Sequence, residues 1–130
     1  MMTIQWLAVL VAALSAFALG GIWYGPLFRH AWCREAGVDP ESKPTHPSQV
    51  FARAFVASFI AAAAFDWLIG PAPGLRMAIL DGVVVGLGVV AMSFALNYGF
   101  AGRSLKLWLI DGGYHALQFT LYGVILGLWQ

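Results

Sequence analysis

Four long apolar stretches occupy most of this chain of 130 residues. They cover about residues 3–23, 50–69, 76–98 and 105–129. Each has about the 20 residues that a helix needs to cross a bilayer. Only 10% of the residues are charged, whereas soluble domains have roughly 25%. The sequence therefore predicts an all-α fold, a four-span transmembrane helical bundle that forms one integral membrane domain over residues 1–130.

Charge and cysteine content exclude several classes of function. The formal net charge is only +1, which is too low for a protein that binds the backbone of nucleic acids. The single cysteine, Cys33, allows no internal disulfide and has no neighbouring zinc ligands. Short motifs of serine hydrolases, zinc peptidases and phosphate-binding loops are also missing. We therefore expect no metal, no cofactor and no nucleic-acid partner, and favour a non-enzymatic function.

The segment after the first apolar stretch has residue types that are typical of chain segments at a membrane surface. Gly25-Pro26 is expected to end the first helix, because proline disrupts a helix interior. Residues 27–36 then place Phe28 and Trp32 on one side, which predicts a short interfacial helix in the first loop. Gly37 is a natural stop for that helix, and the proline-rich residues 38–48 follow as an exposed loop.

The basic residues are shared unequally between the two ends of the predicted spans. Those of the first and third loops and their flanks are Arg29, Arg34, Lys43, Arg53, Arg103 and Lys106. The opposite side has Arg76 alone. Because cytoplasmic loops are enriched in Lys and Arg, we predict that the first and third loops face the cytoplasm and that both termini lie outside.

A polar stripe runs along the fourth apolar stretch. Asp111, His115, Gln118 and Tyr122 fall on one helix face at about 100° per residue. Since a carboxylate near the bilayer interior costs at least about 2.5–3.5 kcal/mol, this face is expected to turn toward the bundle interior. Arg53 of the second stretch is predicted to lie at the depth of Asp111. These five residues form the predicted intramembrane polar site.

Three interpretations of that site are open. Arg53 and Asp111 could form a neutralising ion pair that only holds two helices together. Alternatively, the stripe could be a proton or ligand path toward Asp81, because Asp, His and Tyr side chains can relay protons. A metal ion shared by Asp111 and His115 is a third option, but a stable site needs three or four ligands.

A second group of charges is predicted toward the opposite membrane surface. Asp66 and Asp81 are almost equidistant from the turn at residues 71–74, and Arg76 lies one turn above them. Two carboxylates at one level do not both ionise without a cation nearby. We therefore predict an outer charge cluster of Asp66, Asp81 and Arg76 that stabilises this hairpin.

Small residues recur at every fourth position in several of the stretches. The first has a strip of Ala8, Ala12, Ala16 and Gly20, and the third has the pair Gly82 and Gly86. Such strips let two helix backbones approach closely. Because a lone four-helix unit would leave several strips without a partner, we expect a homo-oligomer surrounded by membrane lipid.

Two short motifs within the chain resemble each other. Tyr24-Gly25 precedes Arg29 by the same spacing that separates Tyr98-Gly99 from Arg103. The two motifs occupy equivalent ends of the first and third stretches, as two parallel helical hairpins would place them.

Two regions also resemble a known family. One is Trp23-Tyr24-Gly25-Pro26-Leu27-Phe28 with Trp32. The other runs from Asn97-Tyr98-Gly99-Phe100 and Arg103 through Leu109-Ile110-Asp111-Gly112-Gly113-Tyr114-His115 to Gly123, Gly127 and Trp129. Over nearly the whole chain these motifs resemble the domain of unknown function 1761 family of small membrane proteins. The resemblance implies a four-span protein of the bacterial inner (plasma) membrane, and it implies no particular activity.

Three classes of function fit these residues. The leading hypothesis is an oligomeric transport or channel-like assembly with a polar path at Asp111 and His115. The alternatives are a non-catalytic membrane scaffold or lipid-binding protein, and an integral-membrane enzyme acting on a lipid or quinone. The enzyme would bind a headgroup at an aromatic and basic cytoplasmic rim, which comprises Trp23, Tyr24, Arg29, His30, Trp32 and Arg103.

Overall fold

A computed structural model describes residues 4–39, 41 and 46–129 of the chain. Every regular element in those ranges is helical, which confirms the all-α prediction. The α-helices are α1 (Trp6–Ile22), α2 (Arg29–Ala36), α3 (Pro47–Ile69), α4 (Leu75–Val83), α5 (Met92–Ala101) and α6 (Leu105–Leu128). A π-helical segment, Trp23–Leu27, extends α1, and a second one, Val84–Ala91, joins α4 to α5.

Three of the four predicted spans are long and apolar enough to cross a membrane. They are Trp6–Leu27, Pro47–Ile69 and Leu75–Ala101, close to the first three stretches of the sequence. The helix α6 has 24 residues but is not among them, because its polar stripe lowers its average hydropathy. The structure thus supports a helical membrane protein with three clear candidate spans.

The helix α6 lies at the centre of the molecule. On one side it packs against α1, and on the other against α4 and the π-helical segment that follows α4. The outermost helix is α3, which packs mainly on α1. The polar face of α6 is therefore turned toward the other helices: Asp111 and Gln118 are buried and His115 is half-buried, whereas leucines such as Leu109 on its other face are exposed.

Glycines allow α4 and α6 to meet backbone to backbone. A Cβ atom added to Gly82 would overlap the carbonyl of Phe119, and one added to Gly123 would overlap the carbonyl of Ala78. At Gly86 the added atom would lie 2.6 Å from the carbonyl oxygen of His115. The predicted packing role of Gly82 and Gly86 is confirmed, and their partner is α6 of the same chain.

The small-residue strip of α1 is also filled within the chain. Ala8, Ala12 and Ala16 are completely buried where α1 packs between α3 and α6. Above them the ring of Tyr114 covers Gly20, and its hydroxyl donates to the carbonyl oxygen of Ala16 at 2.8 Å. The strip is therefore a packing face, as predicted.

The end of the first helix differs from the prediction. Pro26 lies inside the π-helical segment, and the amide of Phe28 donates to the carbonyl oxygen of Trp23 at 2.9 Å. A wide π turn accommodates the proline ring, which would clash with a carbonyl in a regular α-helix. The helix α2, which the sequence predicted as interfacial, does end at Gly37, which has a left-handed φ of 76°. Residues 40 and 42–45 of the predicted loop lie outside the described part of the chain.

Candidate functional site: an aromatic cage around Asp111

Three side chains from three segments donate hydrogen bonds to the buried carboxylate of Asp111. The hydroxyl of Tyr24 lies 2.5 Å from Oδ1 of Asp111, and Nε1 of Trp32 lies 3.0 Å from the same oxygen. The hydroxyl of Tyr98 lies 2.5 Å from Oδ2. The donors come from the π-helical end of the first span, from α2 and from α5, so one α6 side chain joins three other elements.

An ionised carboxylate matches this set of donors, because it only accepts hydrogen bonds and the indole N–H only donates. Hydrogen bonds to a charged acceptor are shorter and stronger than neutral ones. Aromatic rings extend the cage, since Tyr24 contacts Trp32 and Tyr114 at ring-centre distances of 5.9 and 5.4 Å. The hydrogen bonds that Asp111 accepts from the described side chains thus come from neutral hydroxyl and indole groups.

Of the three interpretations of the polar site, the ion pair between Arg53 and Asp111 is not formed in the structure. Arg53 is exposed on α3 and forms no ion pair with the carboxylate. The physical reason is the order of the helices: α3 packs on α1 and has few contacts with α6. An equal depth counted from residue numbers is therefore not enough to predict a contact between these two residues.

The rest of the polar stripe forms a separate hydrogen-bonded chain. Nδ1 of His115 lies 2.6 Å from Oε1 of Gln118, and Nε2 of Gln118 donates to the hydroxyl of Tyr122 at 2.8 Å. That hydroxyl donates to the carbonyl oxygen of Ser58 on α3 at 3.1 Å. Since the amide oxygen of Gln118 only accepts, this arrangement assigns the proton to Nδ1 of His115.

The structure brings the predicted stripe together as two networks. Asp111 is bound by the aromatic cage, whereas His115, Gln118 and Tyr122 bond to one another and to α3. No hydrogen bond between described residues joins Asp111 to His115, or Tyr122 to Asp81. The predicted path from Asp111 to Asp81 is therefore not continuous: it is broken between Asp111 and His115 and again between Tyr122 and Asp81.

The predicted outer charge cluster does not form. Asp66 is buried as expected, but its Oδ2 accepts from the backbone amide of Gln5 at 2.9 Å, just before α1 begins. Helix starts have amides without partners and favour an acidic side chain. Among the described residues, neither Asp66 nor Asp81 forms an ion pair with Arg76. Because α3 packs on α1 and α4 on α6, the predicted hairpin is not closely packed.

The predicted cytoplasmic rim divides into half-buried aromatic residues and exposed basic ones. Nε1 of Trp23 donates to the carbonyl oxygen of Ile110 at 2.9 Å, and Arg103 donates to that of Ala36 at 3.1 Å. Tyr24 and Trp32 belong to the cage, while Arg29 and His30 are exposed. The aromatic residues of the predicted headgroup site thus donate hydrogen bonds to α6.

Tyr98 is the site residue that the sequence interpretation missed. Its signal was present in the internal repeat, because Tyr98 corresponds to Tyr24, which was assigned to the rim. The structure places the two hydroxyls on opposite oxygens of Asp111. Ser58 was also missed, because a backbone carbonyl acceptor leaves no mark on a sequence.

The described side chains do not form the metal site that Asp111 and His115 suggested. In the ranges that the structure covers, no three His, Cys, Asp or Glu side chains are grouped as metal ligands. The carboxylate oxygens of Asp111 are instead engaged by hydroxyl and indole groups.

Comparison with known proteins gives one match. The family model described as "Protein of unknown function (DUF1761)" covers residues 7–127. No curated protein and no solved structure matches the chain. The match includes every member of the aromatic cage and nearly all of the helical part of the chain. The chain therefore belongs to the DUF1761 family.

Proposed function

We propose that the chain is a non-catalytic four-span membrane scaffold whose buried carboxylate fixes a surface helix and the end of a helical hairpin to the central helix. The observation that carries this proposal is the engagement of Asp111 by Tyr24, Trp32 and Tyr98. A carboxylate that accepts hydrogen bonds from three segments holds those segments in fixed positions relative to α6. Substrate or ion binding there would first have to displace these donors.

The membrane placement is part of the proposal. The helix α6 is the fourth span, and its polar face is covered by α1 and α4. The loops with most basic residues face the cytoplasm of a bacterial inner membrane, and both termini lie outside. Reporter fusions at each end test this topology: reporters active only outside the cytoplasm support it, and cytoplasmic activity at either end contradicts it.

A homo-oligomer is a further part of the proposal. The strips on α1 and α4 are filled within the chain and therefore do not support an oligomer. Support comes from the outer faces of α3 and of α5, where large apolar side chains such as Ile60 and Leu96 are exposed and could bind a second copy. Cross-linking in native membranes tests this arrangement. Products between cysteines on the outer face of α3 or of α5 support it, and a monomer alone contradicts it.

The substitution Asp111→Asn tests the scaffold role. It removes the charge and turns one acceptor oxygen into a donor that faces a hydroxyl. We expect the free energy of unfolding in detergent to fall by about 2–4 kcal/mol, and proton flux in liposomes to be absent in both proteins. The matched control is Asp81→Asn, because Asp81 is only half buried and hydrogen-bonds to none of the cage residues. Equal stability of Asp111→Asn and wild type would contradict the proposal.

A transport function is the second candidate. The observation in its favour is the continuous chain from His115 through Gln118 and Tyr122 to Ser58, which crosses from α6 to α3. Proton flux in liposomes with the wild-type chain, lost in His115→Phe with the fold intact, would favour transport over the scaffold. Absence of flux in the wild type removes this candidate.

A further inference from the structure

A cleft opens between the upper halves of α1 and α3, at the end of the bundle where Asp111 lies. Its volume is about 560 Å³, within the range of roughly 300–1,000 Å³ that is usual for pockets that bind small molecules. The side chains of Phe17 and Phe51 line its apolar part. Tyr24, Gly25 and Arg29 line the part nearest the membrane surface.

A second cleft lies on the other side of Asp111, between the end of α5 and the start of α6. Its volume is about 350 Å³. Met92 and Trp108 supply apolar walls, and Tyr98, Gly99 and Arg103 line the rest. The two clefts therefore contain the two copies of the repeated Tyr-Gly-x-x-x-Arg motif.

The two motifs also have equivalent surroundings. The hydroxyls of Tyr24 and Tyr98 donate to opposite oxygens of Asp111 at the same distance of 2.5 Å. Gly25 and Gly99 each face open space, since a Cβ atom at either would meet no atom within 4 Å. Repeated sequence, a shared acceptor and open glycines together indicate two related binding sites.

The chemistry of the clefts selects the ligand. Each arginine lies two residues beyond the end of an apolar helical segment, Leu27 or Ala101, where lipid headgroups would be in the proposed membrane placement. The apolar wall of the first cleft extends from this level into the bundle. Phe17 lies about 10 Å from Tyr24 along the helix axis, at about 1.5 Å per residue. A ligand that fits has a negative charge at one end and an apolar chain at the other.

We propose that each cleft binds one anionic phospholipid, with the phosphate at Arg29 or Arg103 and an acyl chain along the aromatic walls. The cytoplasmic leaflet supplies such lipids, and its negative surface potential attracts basic residues at that level. The two sites depend on the membrane placement of the bundle and not on the scaffold role of Asp111.

Native mass spectrometry of the full chain tests the proposal by counting retained lipids. The protein is extracted from vesicles of phosphatidylcholine with phosphatidylglycerol, and we expect two retained phosphatidylglycerol molecules per chain. Gly21→Leu fills the first cleft, because Gly21 lines it and an added Cβ there would contact no other part of the chain. Gly21 is chosen instead of Gly25 because a side chain at the residue before Pro26 would disturb the helical backbone. Gly99→Leu fills the second. Each variant should retain one lipid, and the double variant none.

Two control variants separate these sites from the rest of the lipid contact. Gly88→Leu adds the same side chain at an open position outside both clefts and should retain two lipids. Arg29→Gln and Arg103→Gln should each lower the preference for phosphatidylglycerol over phosphatidylcholine at one site by about fivefold, whereas Arg53→Gln should not.

Two outcomes would overturn the proposal. One is equal retention of phosphatidylcholine and phosphatidylglycerol by the wild type, which indicates bulk lipid. The other is an unchanged count in the double leucine variant. If that variant does not fold, the two arginine variants decide, and an unchanged lipid preference in both overturns the two sites.

Discussion

The hydroxyl of Tyr24 donates to Oδ1 of Asp111 at 2.5 Å, which joins the end of the first span to the central helix. Tyr98 makes the equivalent bond to Oδ2. We predict that Tyr24→Phe and Tyr98→Phe each lower the free energy of unfolding by about 1.5–3 kcal/mol, the cost of losing a hydrogen bond to a charged group. Unfolding of the purified protein in mixed micelles measures this change.

Tyr114→Phe is the matched control for these two variants. The hydroxyl of Tyr114 donates to a neutral backbone carbonyl, that of Ala16. Its loss should lower the free energy of unfolding by only about 0.5–1.5 kcal/mol. Equal losses in all three variants would contradict an ionised Asp111 in the cage.

Arg53 should be energetically independent of Asp111. It is exposed on α3 and not paired with the carboxylate, so Arg53→Ala is expected to change the free energy of unfolding by less than about 0.5 kcal/mol. A double-mutant cycle of Arg53→Ala with Asp111→Asn should give a coupling energy near zero. A coupling of more than about 1 kcal/mol would restore the ion pair that the sequence suggested.

The contact between α4 and α6 should tolerate no added methyl group at Gly82. The new Cβ would overlap the backbone of Phe119, which a side-chain rotation does not relieve. We expect Gly82→Ala to lower the free energy of unfolding by about 1–3 kcal/mol, the usual cost of overpacking. A Cβ atom added to Gly88 would meet no atom within 4 Å apart from its own turn of helix, so Gly88→Ala should leave stability unchanged or raise it by up to about 1 kcal/mol. Equal effects of the two substitutions would mean that these helices do not meet as described.

Hydropathy and residue spacing predicted much of this fold. The four long helices lie close to the apolar stretches, because helices in lipid must be long and apolar, and small residues on α1 mark a packing face. The burial of Asp111 and Asp66 also followed from the cost of exposing a carboxylate to lipid.

The partners of those carboxylates did not follow from the sequence. Depth along a helix can be counted from residue numbers, but the order of helices around the bundle cannot. Asp111 therefore meets Tyr24 and Tyr98 instead of Arg53, and Asp66 meets the amide of Gln5 instead of Arg76. The π turn that admits Pro26 was also missed, because proline usually marks the end of a helix.

Tyr122 should stabilise the bundle through the second polar network. Its side chain is fully buried, and its hydroxyl accepts from Gln118 and donates to Ser58. Tyr122→Phe leaves the amide of Gln118 without this acceptor, so we predict a loss of about 1–3 kcal/mol in the free energy of unfolding. Thr120→Val is the control on the same helix, because the Thr120 hydroxyl bonds only to the carbonyl of Ala116 one turn earlier, a bond that adds little to helix stability. If both substitutions reduce stability equally, the hydrogen bond from α6 to Ser58 does not contribute to holding α3 in place.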